Sequence, residues 1–304
     1  MAMQIQQLAV FVAVAELGHF TKAAERIRLS QPALSKHLSN LERELGTSLV
    51  DRRPGGATLS PAGEALLPLA RRILNDVETA RFEVHALEQL RGGRVRLGTV
   101  PSLCASLVAD SLRQFHDRYP AVRLLVEETG SRALVGLLAH GELDLAVIHV
   151  PLLSGDPPLV TTTLLTEELV LATTVHDHSI GDGPVPLSAL RDRSLVTFRD
   201  GYELRNITLT ACREAGFEPK FAVEGGQMEA VLGFVTAGLG VAVVPRMVLL
   251  GRPALRGVPF AGRALTRTIA LAHREDIPPP RAVRALRATL LATATEFNFA
   301  TRDQ

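Results

Sequence analysis

The sequence predicts an α-helical head carrying a small hairpin, then one long helix, then a two-lobed α/β body. Three observations predict it. Residues 4–90 show helical periodicity and almost no strand signal. Gly92-Gly93 breaks that pattern. Beyond the break, strand and helix signals alternate in two series. At 304 residues the chain is long enough for two or three domains, and its 46% hydrophobic content supplies their cores.

In the head, Leu8, Phe11, Val12 and Ala15 fall at i, i+3, i+4 and i+7, one face of a helix that Gly18 stops. Thr21 is placed to cap a short second helix bearing Ala23, Ala24 and Ile27. Ser30 caps a third, with Pro32 in its first turn, where a missing N–H costs nothing. Leu34, Leu38, Leu41 and Leu45 line one face of that helix, and Gly46 ends it. A turn-rich stretch, Asp51 to Ala57, lies between Leu49-Val50 and Thr58-Leu59 and predicts a hairpin. Ser60-Pro61 then starts the long helix, which runs to about Arg91 with Pro68 as its one breaker. Leu66, Ile73, Ala80 and Leu87 share a heptad column; the companion column, Leu69, Asp76, Glu83 and Leu90, is half polar. About 30 residues make a rod of roughly 45 Å, expected to pair with a copy of itself.

In the body, Val95–Val100, Val122–Glu127 and Leu143–Ile148 read as strands, with helices at Ser102–Tyr119 and Arg132–His140. This βαβαβ unit predicts a parallel sheet. A second series has strands at Ser194–Phe198, Lys220–Val223 and Val241–Val244 and helices at Leu204–Ala215 and Met228–Ala237. Leu159–Thr174 is expected to cross between the series, and a strand at Thr268–His273 with a helix from Pro280 to about Phe297 to return to the first. The division is therefore 1–60, 61–91 and 92–304, with lobe I at about 92–163 and 268–304 and lobe II at about 164–267.

Composition narrows the function classes. The 33 basic and 32 acidic residues leave a net charge of +1, which excludes a chain basic throughout. Two cysteines, Cys104 and Cys212, cannot form a disulfide framework or a four-thiolate zinc site; two inert thiols are the expectation and a redox pair the alternative. Residues 1–15 lack a basic n-region and a small-residue cleavage site. The longest uncharged run, Ala230–Pro245, has 16 residues and is broken by glycines, short of a membrane span. A cytoplasmic protein without membrane attachment is the expectation. G-x-S-x-G, G-x-x-x-x-G-K and H-E-x-x-H motifs are absent, and Gly238-x-Gly240 lacks the third glycine of a dinucleotide loop. No enzyme and no cofactor is implied. His176 and His178 beside Asp177 form only a weak metal pair.

The third head helix is better equipped. Opposite its leucines lie Pro32, Lys36, Ser39 and Arg43, with Gln31 and Ser35 on the flank. Glutamine pairs two-pronged with adenine, serine serves several base edges, and Lys or Arg reads guanine or phosphate. Over residues 1–58 there are seven basic and five acidic side chains, an excess that calls for a dimer to double the phosphate contacts.

Leu8 to Ala62 resembles the winged helix-turn-helix of the LysR-type transcriptional regulators. The resemblance rests on Phe11, Gly18, Phe20, Ala23-Ala24, Ser30-Gln31-Pro32-Ala33-Leu34-Ser35, Leu41-Glu42, Leu45-Gly46, Leu49, Arg52 and Leu59-Ser60-Pro61-Ala62-Gly63. Gly141-Glu142-Leu143-Asp144-Leu145-Ala146 and Ala237 to Pro245 resemble two signatures of the family's effector domain. The implied architecture is a DNA-binding head, a linker helix and a two-lobed, periplasmic-binding-protein-like effector domain. The implied partners are double-stranded promoter DNA, a small-molecule inducer and further copies of the chain, as a dimer through the linker helix and a homotetramer. Two departures stand out: Val50 replaces the usual Phe, and the wing tip Pro54-Gly55-Gly56-Ala57 lacks basic residues. By resemblance, Gln31, Pro32, Ser35 and Lys36 read bases, with Ser39 on the same face, while Thr21, Lys22 and Arg53 position the DNA backbone and Arg52 braces the wing.

In two-lobed α/β folds ligands sit beyond the carboxyl ends of strands, where helix N-termini offer free N–H groups. The residues there are Ser102, Thr129, Ser131, Phe198, Arg199, Gly201 and Gly226, with Arg205 close by. The resemblance places the inducer at the same points, and Arg199 or Arg205 favours a small carboxylate. The alternative for the body alone is a solute-binding protein with no DNA role.

Overall fold

The computed structural model describes residues 3–53, 56–85, 93–152, 155, 157–181, 183–262 and 264–302. The chain divides into two compact units, Met1–Gly92 with the segment Ala139–Glu142, and Gly93–Leu138 with Leu143–Gln304.

The first unit contains α1 (Ile5–Leu17), α2 (Phe20–Arg26), α3 (Gln31–Leu45), the strands β1 (Val50–Arg53) and β2 (Gly56–Leu59), and α4 (Pro61–His85). Gln7 Oε1 accepts from the Gln4 amide at the start of α1, and Gly18 ends that helix in the left-handed region at φ +61°. The sequence places a cap at Thr21, but α2 begins earlier: His19 is the capping residue and Thr21 lies in the first turn, exposed. The joint to α3 is tight because Arg28 adopts φ +57°, where an L side chain crowds the backbone. Arg28→Gly is accordingly expected to stabilise this unit by about 0.5–1 kcal/mol, seen as a higher Tm. Antiparallel β1 and β2 pair in register from Val50↔Leu59 to Arg53↔Gly56, as the hairpin signal predicts.

The leucine column of α3 is shorter than expected. Leu34, Leu38 and Leu41 are buried against Leu8, Phe11, Val14, Ala23 and Ala24, whereas Leu45, in the last turn, is 42% exposed. The heptad column of α4 also differs from expectation. Leu66, Ala70 and Ile73 pack on the unit's own core, leaving Leu69 55% exposed; Leu87 and Leu90 lie outside the described residues. The helix continues through Pro68.

The second unit is built on a mixed sheet rather than a parallel one. Its first half comprises β3 (Arg94–Thr99), a short α5 (Pro101–Leu103), α6 (Ala109–Arg118), β4 (Arg123–Glu128), α7 (Ser131–Ala139) and β5 (Leu145–Val150). Here β3 is parallel to both β4 and β5. The expected helix from Ser102 to Tyr119 is broken by a wide turn over Cys104–Val108, which has non-helical backbone at Ser106 and buries Leu107 and Val108. Asp144 explains one signature: its Oδ2 accepts from the Arg96 amide at 2.7 Å and its carboxylate pairs with the largely buried Arg96 guanidinium.

The crossing segment is β6 (Leu159–Thr174). Through Glu168 it pairs antiparallel with β11 (Thr266–Arg274), which in turn lies antiparallel to β5. From Leu169 it pairs with β9 (Ala242–Pro245) and β10 (Leu255–Val258). Hydrophobic periodicity marks these strands but carries no direction, so the two antiparallel neighbours were not predictable from it. The four-residue β10 gives no strand signal of its own. Between them lie β7 (Ser194–Thr197), α8 (Glu203–Glu214), β8 (Lys220–Glu224) and α9 (Met228–Thr236), with β7 parallel to β8, and α10 (Arg281–Arg302) closes the chain. Gly240 accounts for the second signature, because a Cβ there would sit 2.4 Å from Ser194 O, where the Val241 amide docks β9 onto β7.

Candidate functional site

Two surfaces concentrate the chemistry. On α3, Ser30 Oγ accepts from the Ala33 amide, so the helix starts with its first turn projecting past the cap. With three leucines turned inward, Gln31, Pro32 and Lys36 are exposed and Ser35 and Ser39 half-buried along the other side. Thr21 and Lys22 are exposed on α2. Glu42 secures the wing: its Oε1 accepts from the Leu49 amide at 2.9 Å and from the Ser48 hydroxyl. The Arg52 guanidinium lies 4.6 Å from the centroid of the Phe20 ring, a packing role, while Arg52 and Arg53 are both exposed on β1. The wing-tip residues Pro54 and Gly55 lie outside the described residues. Glu16 ties three helices together, accepting from Arg26 at 2.8 Å and from Arg71 at 3.1 Å.

The second surface lies in the α/β body, where residues of both sequence series meet. Arg267, opposite Glu167 in the β6–β11 register, donates through Nε to Glu167 Oε1 at 2.6 Å and through Nη2 to Ser102 Oγ. Its side chain is 1% exposed and that of Glu167 9%. Ser131 Oγ accepts from the His149 amide at 3.0 Å and lies 3.3 Å from Glu203 Oε2, while Glu203 Oε1 stands 3.0 Å from His149 Nδ1. Arg199 Nη2 reaches Thr129 Oγ1 at 3.5 Å. Gly201 O lies 3.7 Å from where a Cβ on Gly130 would stand.

Burial raises the Glu167 pKa above the ordinary carboxylate value, against the opposing pull of Arg267. Burial likewise raises that of Tyr202, whose charged surroundings include Arg267, Glu128, Glu203 and Arg199. Glu167 Oε2 and the Tyr202 hydroxyl are buried with no hydrogen-bond partner among the described residues. Such atoms are uncommon in folded interiors.

Of the expected ligand residues, Ser102, Thr129, Ser131 and Arg199 join this cluster. Gly201 and Gly226 shape its backbone, with φ of +79° and +94°, and Gly226 O accepts from the Arg199 amide. The other two expected residues have partners of their own. The Phe198 ring belongs to the core, stacked on Tyr202 with centroids 4.9 Å apart. Arg205 is held by Asp200 at 2.9 Å and Glu224 at 2.7 Å and stacks on Phe221, so its charge is already matched. Sequence reasoning missed Glu167, Arg267, Tyr202, His149 and Glu203. The available signal was charge inside strands: Glu167 and Arg267 each interrupt a β-rich run. Among the described residues no group of His, Cys, Asp and Glu is placed to hold a metal, and no helix is long and apolar enough to cross a membrane.

Residues 5–64 match the family described as bacterial regulatory helix-turn-helix protein, lysR family, and residues 88–295 match the LysR substrate binding domain. The chain is a LysR-type transcriptional regulator. Members of this family are DNA-binding regulators with an effector-binding domain, not enzymes. This LysR-type regulator is 37% identical over 275 residues to a probable hydrogen peroxide-inducible genes activator of Streptomyces viridosporus, covering 89% of this chain and 88% of that one. It is 32% identical over 304 residues to a probable nitrogen assimilation transcriptional activator of Synechococcus elongatus, covering 97% and 98%. Among solved structures, a full-length OxyR variant from Pseudomonas aeruginosa superposes with a TM-score of 0.75 at 27% identity, covering 95% of each chain.

Proposed function

We propose that this regulator reads promoter DNA with Gln31, Pro32, Ser35, Lys36 and Ser39, holds the DNA backbone with Thr21, Lys22 and Arg53, and takes its effector at the cluster around Ser102, Thr129, Ser131 and Arg199. The observation that carries the first part is the orientation of α3: Leu34, Leu38 and Leu41 face inward, so Gln31, Pro32 and Lys36 present a polar first turn to solvent. That geometry suits a helix entered into a major groove by its N-terminal turns. The proposed domains are the head (1–60), the linker and dimerisation helix (61–91) and the effector domain (92–304). Exposed Leu69 and Val84 on α4 support pairing of two copies through that helix, and two such dimers would make a tetramer. The effector shifts the population among arrangements of the body and so the spacing of the heads. The workplace is the cytoplasm, where promoter DNA is.

Peroxide sensing is not carried over from the Streptomyces relative. Burial pushes both the Cys104 and the Cys212 thiols up to about 11, and Cys212 is fully enclosed. A thiol that keeps its proton at neutral pH is a poor peroxide nucleophile.

Gel-shift titrations with the chain's own promoter test the roles of the head residues. Ser35→Ala is expected to relax base preference at its position, with a loss of about 1–3 kcal/mol confined to the specific site. Lys22→Ala is expected to weaken specific and random DNA alike and reduce the salt slope by about 1. Equal losses on both DNAs from both variants would reject the assignment.

A further inference from the structure

Two buried atoms in the body cluster, Glu167 Oε2 and the Tyr202 hydroxyl, have no hydrogen-bond partner among the described residues. The Glu167 and Tyr202 side chains come from β6 and from the residue preceding α8. Each buried polar atom left unmatched costs about 1–3 kcal/mol. A bound group able to donate to them would recover that cost, and the surrounding charges indicate which group.

Glu128, Glu167 and Glu203 are the acids that act on this region, and Arg199 and Arg267 the guanidinium groups. Arg267 is spent on Glu167 and Ser102, and Arg205 on Asp200 and Glu224. That leaves Arg199, beside Thr129, as the cation with the least committed side chain among these, its guanidinium bonded, among the described residues, only to the Thr129 hydroxyl at 3.5 Å. One acid group on a ligand therefore has a natural place at Arg199. A second acid would meet the Glu167 and Glu203 carboxylates, and an apolar end would leave Glu167 Oε2 unmatched.

We propose that the effector is a small amino-carboxylate, its carboxylate at Arg199 and Thr129 and its ammonium donating to Glu167 Oε2 and Tyr202 Oη. This rests on the reading of the cluster as the effector site. Glu167 is then a specificity residue: Arg267 holds its Oε1 at 2.6 Å, and the unmatched Oε2 takes the ammonium in preference to a hydroxyl or a hydrogen at the same carbon. Tyr202, held flat against Phe198, supplies a second acceptor on a rigid ring. This differs from a simple carboxylate inducer, which the arginines alone suggest.

Calorimetric titration of the full chain at neutral pH with two matched series tests the proposal: L-alanine, L-lactate and propionate, then L-valine, L-2-hydroxyisovalerate and isovalerate. In at least one series the amino member is expected to bind about tenfold or more tighter than the other two, because a site built around a donor rejects analogues lacking it. Glu167→Gln keeps the side chain's shape and is expected to collapse that ratio to about threefold or less. Tyr202→Phe, which retains the stacked ring, is expected to reduce it in the same direction, and serves if Glu167→Gln fails to fold. Arg199→Ala is expected to weaken the amino, hydroxy and unsubstituted acids by similar factors. No binding by either series, equal or tighter binding of the unsubstituted acids, or a ratio unchanged in both Glu167→Gln and Tyr202→Phe would overturn the proposal. If the unsubstituted acids bind best but still depend on Arg199, only the ammonium preference fails. If Arg199→Ala leaves every affinity unchanged, the reading of the site itself fails.

Discussion

Arg267→Met is expected to destabilise the α/β unit by about 3–5 kcal/mol at neutral pH, the cost of leaving a buried carboxylate without its partner. For a unit of this size that is a fall in Tm of roughly 10 °C. The Arg267 side chain is 1% exposed and holds both Glu167 and Ser102, so methionine matches its stem but removes both bonds. The loss depends on pH, with a definite sign. Burial already raises the Glu167 pKa, and Arg267 is the largest influence lowering it. Without Arg267 the folded-state value rises further above the unfolded carboxyl value of about 4.3. The folded state then binds more protons than the unfolded one across that interval, so the penalty grows as pH rises through it and shrinks as pH falls toward 4. Replacing Glu167 by leucine in the same variant is expected to restore most of the stability, since no charge is then stranded. Scanning calorimetry at pH 7 and pH 5 checks all three statements. A loss under about 1 kcal/mol at pH 7, or one that deepens with acid, would mean that the pair is not the brace of this site.

The head was legible because its signals are local. The run Ser30 to Gly46 contains a cap, a leucine column and a left-handed stop within one helix, and each acts on residues a few positions away. Where local reasoning erred, a contact from elsewhere had intervened. Thr21 is a better cap than His19 on intrinsic preference, yet α2 begins with Phe20, whose ring lies under Arg52 of the wing. Leu45 continues the column but has passed beyond the core. In the body, helices and most strands follow from periodicity, whereas strand direction and the kink at Ser106 do not. The site was only partly legible for the same reason. Ser102, Thr129 and Ser131 are recognisable as hydroxyls at helix starts after strands. Glu167 and Arg267 meet across 100 residues of chain, and Arg205 is neutralised by Glu224 from 19 residues away. Which arginine remains for a ligand depends on through-space pairing, and no spacing rule contains that.

Gly63→Ala, in the first turn of α4, is expected to disable the head. An added Cβ would stand 2.1 Å from Leu49 O and 3.0 Å from Leu59 Cδ2. The nearer atom is backbone, so no rotamer change relieves the overlap. Leu49 is also fixed from three directions: its amide donates to Glu42 on α3, its carbonyl accepts from the Ser60 amide at 3.1 Å, and its side chain is in the core. The Gly63 amide, for its part, donates to Ser60 Oγ, which donates to Ser48 O at 2.6 Å. Neither the helix nor the chain entering β1 can move without breaking this set. The expected cost is about 3 kcal/mol, at the upper end for overpacking, with α4 and the wing parting at their junction. Because Arg52 and Arg53 ride on β1, promoter affinity should fall along with stability, whereas Lys22→Ala should weaken DNA binding at unchanged Tm. Thermal melts and gel shifts on the same preparations separate the two, and a Gly63→Ala protein with normal melting and normal promoter binding would show that the wing is not anchored through the start of α4.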